Sequence, residues 1–161
     1  MSILSDIDIE KALEEENLGI KPFKKQNLTP NGYDLTIEEI YIKKNDEHVR
    51  KGEASIPPKT WFAISTREFI EMGPRISSQL WIRTTYARKG VMASFGKVDA
   101  GFHGNLTISC FNSRDEKIDI PIGDRFCQIV FENMQSIPSE LYDTKSGNYH
   151  NQKGLTLEKK K

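Results

Sequence analysis

The sequence predicts an all-β fold, a sandwich or jelly roll, with one short helix at its N-terminus. Three observations carry that prediction. Short runs rich in β-branched and aromatic residues recur between turn signals about 8 to 12 residues apart, the spacing of strands in antiparallel sandwiches. Helical periodicity shows only near the start of the chain. The 161 residues hold no internal repeat or low-complexity segment and suit one domain, 1–161, since a second would leave each core very small.

Ser5 before the run DIDIEKALEEE reads as a helix cap. Asp6 and Asp8 suit the positive end of the helix dipole, Ile9, Ala12 and Leu13 form one apolar stripe, and Gly19 is the expected stop. Pro22, Pro30, Asn31 and Gly32 then punctuate a connection into an alternating strand, or bent pair, from Tyr33 to Ile42. Asp34 is the odd polar residue in it, either solvent-facing or supporting a site from behind. Residues 43–55 read as a charged surface loop or hairpin, and WFAIST after Pro57 and Pro58 as a half-buried strand. A turn at Gly73 and Pro74 leads to a strand ending at Arg83. NSRDEK reads as a hairpin turn, KIDIPI as a short strand, and IGDRFCQIVFE as a turn and strand. The tail 146–161, SGNYHNQKGLTLEKKK, changes character, and reads either as a mobile flap that closes on a ligand or as a frayed terminus.

Composition narrows the function. With 23 basic and 23 acidic residues the formal charge is zero, against a general nucleic-acid or membrane-surface binder. No apolar run approaches the ~20 residues of a membrane span, and the N-terminus lacks the pattern of a signal peptide, so a cytoplasmic protein is expected. Cys110 and Cys127 lie in apolar strand-like runs without zinc spacing, which suits buried free thiols. His48, His103 and His150 are scattered among turn residues, and no metal site is expected from them.

Chemistry concentrates between Leu80 and Asn112. Arg83, Thr84, Thr85, Arg88 and Lys89 form a first cluster, in which guanidinium forks and short hydroxyls suit an anion with several oxygens. Lys97, Asp99, Gly101 and Gly104 form a second, a lone carboxylate in a glycine-framed turn. The alternative is a charged surface turn followed by an ordinary hairpin.

Five segments in order from residue 28 to 154 resemble the motifs of the trimeric dUTPase and dCTP deaminase superfamily: LTPNGYDLTI, IRTTYARKG, GKVDAGFHGNLTISCFN, GDRFCQIVFE and GNYHNQKG. The SDIDIEKALEE start and the NYxxQ tail are most similar to its short, deaminase-like branch. The resemblance implies a jelly-roll-like distorted β-barrel, a homotrimer with sites at subunit interfaces, and a deoxynucleoside triphosphate bound with Mg²⁺. It further implies that Arg83, Thr84, Thr85 and Arg88 hold phosphates, with Thr84 and Arg88 near the chemistry and threonines in place of the usual serines. Asp99 would sit by the sugar 3′-hydroxyl and orient the attacking water, with Phe102 against the deoxyribose. Backbone groups from Leu106 through Thr107 to Ser109 would read the pyrimidine edge. Gln128 would contact phosphate, and Tyr149 and Gln152 belong to the closing tail.

Two departures separate the branches. Deaminases of this family depend on a glutamate, in a pattern like GHITLELSN, to move protons between water and the cytosine amine; the matching position here is Ser109. An unassisted hydroxyl does not ionise near working pH and cannot act as that base. In the tail, a KYxxQ pattern has become Asn148, Tyr149 and Gln152, which loses a cation. Alternation is expected to keep His103 and Cys110 off the face of Ser109. The expectation is therefore hydrolysis of dUTP to dUMP and pyrophosphate, with Mg²⁺ held chiefly by the triphosphate. The alternatives are dCTP deamination and a non-catalytic trimer that binds nucleotide.

Overall fold

The computed structural model describes residues 2–158. Among them lie thirteen strands: β1 (Ser2–Ile3), β2 (Leu18–Lys21), β3 (Leu28–Thr29), β4 (Gly32–Ile42), β5 (Glu47–Val49), β6 (Glu53–Ile56), β7 (Trp61–Met72), β8 (Ile76–Ile82), β9 (Val91–Ser94), β10 (Lys97–Val98), β11 (His103–Asn112), β12 (Ile118–Pro121) and β13 (Arg125–Asn133). Three short helices accompany them, α1 (Asp6–Glu14), α2 (Thr84–Arg88) and α3 (Tyr142–Lys145). The expected mainly β fold is present as one curled antiparallel sheet in the order β10-β8-β13-β4-β7-β11-β9, with β6 and β12 as a separate pair.

The curl is built at β4. Its first half, Tyr33 to Thr36, pairs with β13, and its second half, from Ile37 to Ile42, pairs with β7. Side chains on both of its faces are buried, and among its residues only Glu38 is exposed. The alternation expected from Tyr33 to Ile42 is overridden, because a strand at the fold of a sheet has no solvent face. Where the ladders change over, Thr36 turns its N–H and hydroxyl to the buried carboxylate of Glu68, at 2.9 and 2.7 Å. Burial pushes the Glu68 pKa up, against the lowering effect of those two bonds. Around this seam Tyr33, Leu35, Ile37, Ile40, Phe62, Ile64, Phe126 and Phe131 are fully buried, each contributing about 1.5–3 kcal/mol.

The Ser5 cap forms as expected, and Asp8 returns the bond to the Ser5 N–H, closing a capping box. Ile9 and Ala12 are buried against the sheet. Gly19, however, does not stop the helix. α1 ends at Glu14, and Gly19 lies inside β2, where an added Cβ would stand 2.8 Å from the Glu71 Cβ. Its role is close approach between β2 and β7. Residues 43–55 turn back as the expected hairpin, with β5 paired on β4, and then enter β6, while WFAIST is the first half of the longer β7. Cys110 and Cys127 are buried free thiols, their pKa values raised by burial. No helix among the described residues is long and apolar enough to cross a membrane.

Candidate active site

Two neighbouring irregularities position the site. β7 carries extra residues opposite Asn105, so that Asn105 pairs with Phe69 while Thr107 pairs with Ser65. The Asn105 amide nitrogen donates to the carbonyls of Thr66, Arg67 and Glu68, at 3.1, 3.3 and 3.1 Å, and so collects the backbone acceptors that the bulge frees. Its Oδ1 is left facing the C-terminal tail, where it accepts from the Gly154 N–H at 3.0 Å.

The second is the turn from Asp99 to Phe102, closed by Phe102 N–H to Asp99 O at 3.1 Å and tied to β7 by Gly101 N–H to Met72 O at 3.1 Å. Gly101 adopts φ +81°, and a Cβ there would come within 2.7 Å of the Leu141 Cβ. Both facts require glycine. The turn leaves Asp99 exposed and buries Phe102, which packs edge-on against Tyr142 with ring centroids 5.4 Å apart.

Between these features lies a cavity of about 390 Å³, the size of a small-molecule site. Its lining includes Asp99, Phe102, Leu106, Thr107, Ser109, Tyr149 and Gln152. Seven of the residues named for the site from the sequence thus line one cavity. Asp99 is the one carboxylate among the described residues lining it. Lys97 also faces it, but its ammonium is engaged by the buried Glu132 at 3.1 Å. At the other side Trp61 Nε1 donates to Ser109 Oγ at 2.7 Å.

The tail lies along β11 of its own chain. Gln152 forms a parallel bridge with Gly104, whose φ of +155° and 3.0 Å approach to Gln152 Cγ leave no room for a side chain. Asn151 N–H reaches His103 O at 2.7 Å, Asn105 N–H reaches Gln152 O at 3.1 Å, and Thr156 N–H reaches Thr107 Oγ1 at 3.0 Å. The Gln152 amide nitrogen donates to Asn105 O, which leaves Oε1 buried and without a hydrogen-bond partner among the described residues. The last three residues of the expected flap lie outside the described residues.

The remaining residues singled out from the sequence do not line the cavity. Arg83 lies between β8 and α2 as the N-cap residue of the helix, with its Nε 3.2 Å from Asp34 Oδ2 and its Nη1 donating to Arg125 O at 3.2 Å. Arg125 also approaches Asp34 Oδ2, at 3.4 Å. Asp34 is buried, and burial raises its pKa against the opposing pull of Arg83 and then Arg125. It is therefore not solvent-facing, and it is held between the two guanidiniums. α2, where the sequence suggested only a turn, presents Thr84, Thr85 and Arg88 to solvent and buries Tyr86, whose hydroxyl donates to Asp124 at 2.7 Å. Gln128 lies on the same side of the sheet's seam, donating to Thr29 Oγ1 at 2.6 Å.

Other features escaped sequence reasoning. Trp61 and Tyr142 line the cavity from distant segments, and no spacing signal marks either. His103 and Ser109 are six positions apart in β11 and share the partly exposed parity, so alternation does not part them; Cys110 is on the buried side as expected. His103 is nevertheless absent from the lining of the cavity. It lines a second hollow, where its ring lies 5.2 Å from that of His150. Among the described residues no three His, Cys, Asp or Glu side chains converge as a metal site.

The family model described as dCTP deaminase-like matches residues 3–134. A dCTP deaminase of Thermococcus kodakarensis is 36% identical over 144 residues, covering 88% of this chain and 91% of its own. A probable deoxyuridine 5′-triphosphate nucleotidohydrolase of Sulfolobus islandicus rod-shaped virus 1 is 35% identical over 159 residues, 98% of each chain. The solved 2′-deoxycytidine 5′-triphosphate deaminase of Agrobacterium tumefaciens shares the fold, with a TM-score of 0.69 at 17% identity over 81% of this chain and 48% of that one. By the span of the model match and these identities, the chain belongs to the dCTP deaminase-like family of the dUTPase and dCTP deaminase superfamily, enzymes of nucleotide metabolism.

Proposed function

We propose that the protein hydrolyses dUTP to dUMP and pyrophosphate. The observation that carries this reading is the chemistry of the cavity wall. Among the described residues Asp99 is its one carboxylate, and the Ser109 side is occupied by a hydroxyl and an indole. Neither of those ionises near neutral pH, so neither can pass protons between water and an amine. A carboxylate at the exposed turn can instead orient a water.

In this mechanism the deoxynucleoside occupies the cavity, its sugar against Phe102 and its pyrimidine edge along Leu106, Thr107 and Ser109. Asp99 holds a water in line with the α-phosphorus and accepts its proton as the bond to pyrophosphate breaks. Arg83, Thr84, Thr85, Arg88 and Gln128 neutralise and orient the phosphates. Since these five do not line the cavity of their own chain, they serve the cavity of a neighbouring subunit in a homotrimer. Tyr149 and Gln152 close over the bound nucleotide as part of a flap. Mg²⁺ fits as an ion carried by the triphosphate, because the described residues offer no cage of three ligands and Asp34 is already held between two guanidiniums. Bound in that way it supplies further charge neutralisation at the phosphate oxygens.

The second reading is deamination of dCTP, which the comparisons favour over hydrolysis: the Thermococcus kodakarensis enzyme and further Thermococcus and Pyrococcus relatives at 34–36% identity are named dCTP deaminases. The viral relative, matched over 98% of both chains, favours the hydrolase. Incubation of the purified protein and Mg²⁺ with dUTP and with dCTP, following pyrophosphate and ammonia, tests the choice. Pyrophosphate from dUTP without ammonia from dCTP is expected. Ammonia from dCTP overturns the hydrolase reading, and binding without either product points to a non-catalytic trimer.

A further inference from the structure

The Trp61–Ser109 contact has a fixed polarity. An indole N–H can only donate, so at 2.7 Å Ser109 Oγ must be the acceptor. A hydroxyl has two lone pairs and one proton; the indole takes one lone pair, and the proton must go elsewhere. The neighbouring backbone offers little to receive it. Ser109 sits in the middle of a sheet, paired with Ala63 of β7 on one side and Ser94 of β9 on the other. Among the described residues no acceptor takes the Ser109 proton. Both side chains line the cavity, so the proton is left for whatever occupies it.

We infer that Trp61 and Ser109 act as a pair that reads a carbonyl oxygen against an amino group at the edge of the bound pyrimidine, with Ser109 the donor and Trp61 the residue that sets its direction. This rests on the function proposed above, in which the pyrimidine edge lies along Leu106 to Ser109. Uracil presents a carbonyl oxygen at position 4, which accepts the Ser109 proton and leaves every group in the contact paired. Cytosine presents an amine there. Its N–H can take the remaining lone pair, but the Ser109 proton is then stranded in a half-buried site. Leaving a buried donor unpaired typically reduces affinity on the order of tenfold to a hundredfold. Trp61 thus adds a specificity residue outside the segment that carries the site's other recognition groups.

The test is the affinity of non-hydrolysable α,β-imido-dUTP and α,β-imido-dCTP for the intact protein with Mg²⁺, measured by calorimetry for the unaltered chain, Ser109→Ala and Trp61→Phe. The unaltered protein should prefer the uracil analogue by roughly ten- to a hundredfold. Ser109→Ala should lose most of that preference through weaker uracil binding. Trp61→Phe frees the hydroxyl to turn, and should narrow the ratio through tighter cytosine binding. A merely structural role for Trp61 would weaken both analogues alike, and that result overturns the inference. So does an unchanged ratio in Ser109→Ala, a variant that removes one oxygen from a half-buried position and should fold. If either result comes from a protein that still releases pyrophosphate from dUTP, the inference alone has failed; ammonia release from dCTP by the unaltered protein removes the functional reading as well.

Discussion

Removal of the tail latch should change substrate binding far more than folding. Five hydrogen bonds join the tail to β11: Asn151 N–H to His103 O, Asn105 N–H to Gln152 O, the Gln152 amide to Asn105 O, Gly154 N–H to Asn105 Oδ1, and Thr156 N–H to Thr107 Oγ1. At a net ~1 kcal/mol each they supply about 5 kcal/mol. Ordering the backbone from residue 151 to 157 costs about 7 kcal/mol at ~1 kcal/mol per residue. The sum is close enough to balance that contacts to a bound nucleotide would tip it. Gln152→Ala deletes one of the five bonds, and about 1 kcal/mol is roughly a fivefold change in the closed population. The expected result is a KM for dUTP raised about fivefold, with a melting temperature near that of the unaltered protein, because the fully buried side chains of the core lie outside the tail. A chain ending at Gly147 should lose most turnover and still melt cooperatively. Steady-state pyrophosphate release and differential scanning calorimetry measure the two quantities. Unchanged KM and turnover in the truncated chain would refute the closure argument.

Three further outcomes follow from the same geometry. Asp99→Asn keeps the shape of the turn and should reduce turnover on the order of a hundred- to ten-thousandfold while the affinity for α,β-imido-dUTP stays within about tenfold; near-normal turnover would show that the carboxylate does not activate water. If Arg83 and Asp99 serve one site from two subunits, Arg83→Ala and Asp99→Asn chains should each be inactive alone but regain part of the activity when unfolded together and reassembled, whereas no recovery would mean a site built within one chain. Because burial raises the folded pKa of Glu68 above its ordinary 4.5, the folded state binds its proton more tightly than the unfolded one. Its contribution is most favourable below that ordinary value and declines as pH rises through the folded value, so Glu68→Gln should melt relatively higher, against the unaltered protein, at neutral than at acid pH. A constant difference across that range would contradict the assignment.

How much of this was legible in the sequence depended on the range of the interaction. The Ser5 cap and the Asp99 to Phe102 turn are local, and short side chains and glycine mark such features wherever they occur. Gly19 and the alternation from Tyr33 to Ile42 misled because the interactions that decide them are long-range, although the expected strand itself forms at Gly32–Ile42. Each takes its environment from a partner strand far away in sequence, Glu71 on β7 for the first and both β13 and β7 for the second. α2 was hidden because its five residues show no helical period, and only the burial of Tyr86 over Phe126 and its bond to Asp124 account for it. The cavity side of the site was readable because one continuous segment, Asp99 to Ser109, carries five of the seven residues named for it. Trp61 and Tyr142 were not, since each reaches the cavity only through strand register or the path of the tail.

The measurement that reaches the central claim most directly follows the oxygen of water. Reaction of dUTP, and separately of dCTP, in water labelled with heavy oxygen, followed by mass spectrometry of the products, reads out the atom attacked. In-line attack at the α-phosphorus by a water held at Asp99 places the label on the phosphate of dUMP, with none in the pyrophosphate and dCTP unchanged. Label on the base, at position 4 of a uracil formed from dCTP, would contradict the account and make the Ser109 side of the cavity a deaminating centre.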